Sequence, residues 1–225
     1  MKKFKLLTLV ICLLTMFSCE TKQGTGVLAG AGGGAILGAI IGKIAGNTGV
    51  GAAIGGAVGA SAGAIIGHHM DKVTRETAAQ MDNAKVEEVT DKNGLKAVKV
   101  TFDSGILFAS SKATLSASSK NELAKFSKVL NTNKDCYVDI LGHTDATGND
   151  GINVPLSNSR AQSVVNYLTS CGVSAARFQN VKGMGSSSPV ADNRTKAGRQ
   201  QNRRVEVYLY ASPEMVAKAN AGALK

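Results

Sequence analysis

Ten glycines spaced four apart constrain this chain more than any other feature. Gly30, Gly34, Gly38, Gly42 and Gly46 form one ladder; Gly51, Gly55, Gly59, Gly63 and Gly67 form a second. A period of four keeps these residues near one face of a helix, with a slow drift. Each glycine costs about 1 kcal/mol against alanine in a helix interior. Two isolated helices with this load should fail in water. In lipid the balance changes, because an unpaired backbone is far more costly there and small faces let helices approach closely. Each ladder occupies a segment of about 20 residues, roughly 30 Å of helix, which matches the hydrocarbon core of a bilayer. Asn47-Thr48-Gly49 between them supplies turn chemistry. The spacing therefore predicts a membrane-associated helical hairpin over residues 27–70, able to self-associate. Lys43 is the one charge inside it, near an end, where it can snorkel. His68 and His69 close the segment. Neighbours on a helix do not share a face, so they are interfacial polar groups rather than a metal pair.

The region around the ladders holds most of the glycine: sixteen of the 26 fall between Gly24 and Gly67. With hydrophobic residues at 44%, uniform disorder is excluded. Four cysteines in 225 residues are too few for a disulfide-stapled miniprotein.

Residues 1–18, MKKFKLLTLVICLLTMFS, have a basic head and a short apolar middle, the layout of a secretory signal. Cys19 follows at once. A cysteine there resembles the lipobox of bacterial lipoproteins, which implies acylation of Cys19 and a mature chain that starts with it. Residues 19–26 would then be a lipidated tether. Removing the signal takes away Lys2, Lys3 and Lys5 and lowers the formal charge from +10 to +7. Cys136 and Cys171 remain as an even pair in an oxidising compartment, either a disulfide or two buried thiols. No CxxC is present in the sequence, so neither a metal site nor a redox cofactor is expected.

Residues 71–92 are polar and helix-friendly and are expected to be a connector. From Asn93 the pattern changes. Residues 97–102 alternate and are β-branched, as are 136–141 and 205–210; 178–183 form a further strand. Residues 115–130 have helical periodicity, with Ser116 or Ser118 as cap, and 157–168 form a second helix with Ser157 as cap. The order β-α-β-α-β-β predicts an α+β domain over 93–211 with a mixed sheet, because no helix is expected between the last two strands. Residues 212–225 are left as a tail. Asp139 and Glu206 lie on strands and are expected at the surface.

The motifs are specific. Gly142-His143-Thr144-Asp145 follows a strand, with Gly148 three residues on. Asn153, Leu156, Ser157, Arg160 and Ala161 give N-x-x-L-S-x-x-R-A, and Asn202-Arg203-Arg204-Val205-Glu206 opens the last strand. This string resembles the OmpA C-terminal-like domain that OmpA, Pal and MotB proteins share. The glycine ladders resemble the glycine-zipper segments of envelope proteins. The resemblance implies non-covalent binding of peptidoglycan through diaminopimelate of the stem peptide. By that likeness Asp145 takes the ammonium and Arg160 the carboxylate. Arginine suits the second role because its planar fork matches a carboxylate. Phe102-Asp103 stands where the family closes the pocket; Asn153 and Leu156 shape its wall, and Arg203 lies at the rim.

His143, Asp145 and Ser157 are a superficial triad set, but Ser157 does not stand in a G-x-S-x-G, so no enzyme is expected. A basic balance in a secreted protein favours anionic glycan or lipid over nucleic acid. The expectation is an outer-membrane lipoprotein, its globular domain in the periplasm, that ties membrane to wall. The alternative is an oligomeric assembly subunit built by the zipper, with wall binding only for positioning.

Overall fold

A computed structural model of the chain describes residues 58–91, 93–109 and 111–224. The signal segment, Cys19 and the first glycine ladder lie outside the described residues. A five-stranded mixed sheet has the order β1-β2-β5-β3-β4, with β1 Ala84–Thr90, β2 Lys96–Asp103, β3 Cys136–Gly142, β4 Phe178–Gly183 and β5 Arg204–Ala211. β3 and β4 run parallel; the other neighbours are antiparallel. The helices are α1 Ala60–Gln80, α2 Ser104–Leu107, α3 Ala117–Thr132, α4 Asp150–Ser170, α5 Lys196–Asn202 and α6 Pro213–Asn220. The α+β class and the mixed sheet are as the sequence suggests.

Strand parity builds the core. Val98, Val100 and Phe102 of β2, Val138 and Ile140 of β3, and Val205, Val207 and Leu209 of β5 all enter one apolar cluster with residues of α1, α3, α4 and α6. Ser116 caps α3, accepting from the Ser119 N–H at 3.1 Å. Arg177 fastens α3 to β3 by donating to the carbonyls of Leu130, Asn133 and Cys136.

The expected connector is part of the fold. α1 runs unbroken from the second glycine ladder into the polar stretch, and β1 follows. Ala62, Ile66, Met70, Val73 and Thr77 recur at helical spacing and are all buried. Burying a large aliphatic side chain stabilises by about 1.5–3 kcal/mol, so this stripe binds α1 to the sheet. This stripe packs α1, from Ala62 on, against the rest of the domain, and α1 also packs on α6, formed by the expected tail. Among the described residues no helix is long and apolar enough to cross a membrane. His69 turns towards Asp135, with Nε2 3.6 Å from its Oδ1.

Three further expectations are corrected, and the alternative left open for Cys136 and Cys171 is decided. α4 starts at Asp150, not Ser157. Asn149 caps it by accepting from the Ile152 N–H at 3.2 Å, with Asp150 in the first turn at the positive helix end. These contributions offset the one hydrogen bond lost at Pro155 inside the helix. The short helix α5 stands between the last two strands. Cys136 and Cys171 are free thiols, the first buried and the second half-buried; burial pushes the Cys136 thiol up to about 12. Asp139 and Glu206 are buried. Asp139 accepts from the Tyr210 hydroxyl at 3.0 Å and from Asn180. Glu206 sits among Lys99 (2.8 Å), Arg204 (2.7 Å) and the Tyr208 hydroxyl (2.6 Å). Burial pushes Glu206 up, but His143, Arg204 and Lys99 outweigh it and hold the carboxyl well below the usual range.

Ile66→Ala should cost about 2–5 kcal/mol of stability, as a large-to-small change in a closed core. A fragment of residues 93–211, which lacks α1, β1 and α6, should show no cooperative thermal transition by circular dichroism, whereas residues 58–225 should. A cooperative melt of the shorter fragment would contradict the role given to α1.

Candidate functional site

Two glycines set the geometry. Gly142 and Gly183 are register partners at the ends of β3 and β4. A Cβ on Gly142 would lie 2.1 Å from the Ser157 carbonyl oxygen, and one on Gly183 2.3 Å from the Asn158 nitrogen. α4 can rest on the strand ends only because neither residue has a side chain. Ser157 Oγ secures the contact, accepting from the Gly185 N–H at 2.9 Å and donating to the Val154 carbonyl at 2.9 Å. Asp145 follows Gly142 by three residues, and Arg160 follows Ser157 by three. The close approach therefore delivers both charges to one place.

They line a cavity of about 630 Å³, together with Asn153, Leu156 and Arg203. Five of the seven binding residues named from sequence are thus brought together. Phe102 is elsewhere, buried in the core with its ring edge-on to Phe126 at 5.7 Å. Asp103 does not line this cavity either. Its carboxylate caps α2, accepting from the Gly105 N–H at 2.6 Å, and takes a bond from Gln200 at 3.3 Å.

Each carboxylate oxygen of Asp145 accepts one hydrogen bond and keeps acceptor capacity. Oδ1 takes the Thr147 N–H at 2.8 Å, and Oδ2 takes Arg203 Nη1 at 2.6 Å. Burial pushes its carboxyl up; Arg203 and Thr147 outweigh that, and the net direction is down. Arg160 is different. It is only 4% exposed, and Nε donates to the Lys112 carbonyl at 3.0 Å. Its guanidinium lies over the Phe108 ring, 5.3 Å from the centroid, a cation–π contact that fixes the plane of the fork. No described carboxylate lies within 4 Å of it. Burial, then the like charge of Arg203, weakens its hold on its proton, and Asp145 opposes this; an arginine remains charged regardless. Asn153 Nδ2 ties the loop by donating to the Thr147 carbonyl at 3.1 Å.

The sequence reading missed Ser104, Phe108, Thr144, Ile152 and Arg199 in the lining. Ser104 and Thr144 are notable because their hydroxyls are buried and have no partner among the described residues. Thr144 stood in the G-H-T-D string beside Asp145 and could have been found there. Nothing periodic marks the 104–111 stretch. A second cavity, about 700 Å³, lies on the other face of the sheet and is lined by Lys85, Glu87, Lys99, Arg204 and Glu206. Its charges already neutralise one another: Lys99 and Arg204 on Glu206, Lys85 on Glu87 at 2.8 Å. The would-be triad is not assembled, since His143 Nε2 faces Glu206 at 3.5 Å and Ser157 Oγ is engaged by backbone.

The helix-covered mixed sheet has the fold of OmpA-like domains. Residues 107–203 match the OmpA family, and residues 1–71 match the YMGG-like Gly-zipper. The chain thus carries a stretch similar to the YMGG-like Gly-zipper followed by one similar to the OmpA family. It is 41% identical to the outer-membrane lipoprotein YfiB of Pseudomonas aeruginosa, over 49% of this chain and 65% of that one. It is 39% identical to the peptidoglycan-binding protein ArfA of Mycobacterium tuberculosis, over 50% of this chain and 34% of that one. The chain therefore spans less than two thirds of either relative. Among solved structures it is similar to the cell wall anchor of the type VI secretion system from Pseudomonas aeruginosa: TM-score 0.52, 28% identity, covering 64% of this chain and 97% of that one.

Arg203→Gln should raise the Asp145 pKa, because it removes a group that holds the carboxyl down. A carbon-detected NMR titration of the Asp145 carboxyl reads this directly. The sign for stability follows. The Asp145–Arg203 pair contributes fully above the ordinary carboxylate pKa of about 3.9 and is lost as pH falls through the lowered folded value. An Asp145 titration unmoved by Arg203→Gln would contradict the pairing.

Proposed function

We propose that this protein binds peptidoglycan non-covalently through stem-peptide diaminopimelate and tethers the outer membrane to the wall. The observation that carries this reading is the convergence of Asp145 and Arg160, 15 residues apart in sequence, on one cavity. The free end of diaminopimelate bears an ammonium and a carboxylate. Arg160 offers a buried guanidinium, already oriented by Phe108 and the Lys112 carbonyl, to take the carboxylate in a forked pair. Asp145 offers an anion to the ammonium. The hydroxyls of Ser104 and Thr144 supply further hydrogen bonds to a polar ligand. Such a site holds its ligand without breaking a bond, in keeping with similarity to proteins named for wall binding and wall anchoring.

Acylation of Cys19 would hold the other end in the outer membrane, with the globular domain in the periplasm. The similarity to an outer-membrane lipoprotein supports this. One acyl group needs a second signal for stable attachment, and residues 27–57 of the zipper region are the candidate. The assembly alternative loses part of its material, because residues 60–70 are already packed on the sheet.

Asp145→Asn and Arg160→Ala should each abolish co-sedimentation with purified sacculi. Removing one partner of a buried charged contact costs about 2–5 kcal/mol, since it strands the opposite charge. Both variants should still show a cooperative thermal transition, so that lost sedimentation is not lost folding. Normal sedimentation of both would overturn the site assignment.

A further inference from the structure

We propose that Asn193 is a positioning residue of the pocket: it sets the place of the Asp145 carboxylate and, through it, the preference for a ligand end that bears an ammonium. The inference rests on the diaminopimelate reading and adds to it a residue that does not line the cavity. Asp145 lies between β3 and α4, in neither helix nor strand. Its place therefore depends on what grips its neighbours. The Thr144 N–H donates to the Gly185 carbonyl at 2.9 Å, and the Ala146 N–H donates to Asn193 Oδ1 at 3.1 Å. Both grips come from one stretch of chain, residues 185–193. The main-chain carbonyl of Asn193 also takes Arg199 Nη1 at 2.9 Å, so the same residue secures a second group of the lining.

Asn193 is itself held in one orientation. Asn202, the last residue of α5, is fully buried and uses both ends of its amide. Its Oδ1 accepts from the Val190 and Ala191 N–H groups at 2.7 and 3.0 Å. Its Nδ2 donates to the Ala191 carbonyl at 2.9 Å and to Asn193 Oδ1 at 2.8 Å. Such a set fixes which end of the amide is oxygen. The loop between them is closed: the Arg194 N–H donates to Asp192 Oδ1 at 2.9 Å, and a Cβ on Gly198 would lie 2.1 Å from the Asp192 carbonyl oxygen. The Asn193 oxygen thus takes two hydrogen bonds, one from Asn202 and one from the loop that carries Asp145. Arg160 is held separately, by the Phe108 ring and the Lys112 carbonyl. Loss of the Asn193 oxygen therefore loosens the ammonium half of the pocket and leaves the carboxylate half in place.

The test uses the full chain in detergent and isothermal titration calorimetry with two peptides. One is L-alanyl-γ-D-glutamyl-meso-diaminopimelate. The other has 2-aminopimelate in the third place, which keeps the distal carboxylate and lacks the distal ammonium. The wild type should prefer the first. Asn193→Ala should narrow that preference about threefold to tenfold, the range for one neutral hydrogen bond, by weakening the diamino peptide and leaving the other unchanged. Asn193→Asp, which keeps the acceptor oxygen, should restore the preference. A ratio unmoved by Asn193→Ala, whether or not overall affinity falls, would overturn the inference, and so would a ratio that Asn193→Asp does not restore. A wild type that binds both peptides alike, or neither, would instead overturn the diaminopimelate reading on which the inference rests.

Discussion

The backbone contact between α4 and the ends of β3 and β4 governs the rest of the site. Side chains are absent at Gly142 and Gly183 because carbonyl and amide groups of α4 occupy their place. A helix that close cannot slide or rotate without collision, since packed interiors tolerate little change in volume. Asp145 is carried by the strand side of this contact and Arg160 by the helix side. Their relation is therefore set by main chain, and flexible side-chain reach plays a small part. Phe108 and the Lys112 carbonyl then hold the guanidinium from the remaining directions.

The two sheet faces handle charge differently. On the far face Glu206 is surrounded by Lys99, Arg204, His143 and Tyr208, so each buried charge there has a partner. Removing one member would leave others buried and unpaired, which makes the cluster a poor place for an exchangeable ligand. At the strand ends the situation is reversed, with an arginine lacking an acid and two hydroxyls lacking partners. Buried polar groups are normally satisfied. Two of the exceptions among the described residues, the hydroxyls of Ser104 and Thr144, lie where the ligand is proposed to sit; the others are the ring nitrogens of His69 and His143.

Alternation in β2, β3 and β5 was legible because their inward residues are β-branched or aromatic, and the periodic apolar face of α3 was equally plain. Asp145 and Arg160 were legible through motif order. α1 was not. Its glycine period drew residues up to 70 towards lipid, while the buried stripe from Ala62 to Thr77 crosses that boundary and belongs to one helix. A reading that followed the stripe rather than the composition would have joined them. The α4 start was hidden by Pro155, which usually marks a boundary, although Asn149 and Asp150 carried the opposing signal. Glu206 was misplaced because a strand in the middle of a sheet exposes neither face by parity alone. Ser104 and Phe108 lie in a link without any period, and only the fold brings them to the cavity.

The central claim is that ligand binding occurs between Asp145 and Arg160 and nowhere else on the domain. An NMR titration of isotope-labelled protein with a diaminopimelate-containing tripeptide tests it most directly. The account predicts that the Arg160 Nε–H and Thr147 N–H resonances move together and saturate at one ligand per chain. Shifts gathered instead around Lys99, Arg204 and Glu206, with Arg160 and Thr147 unmoved, would contradict it.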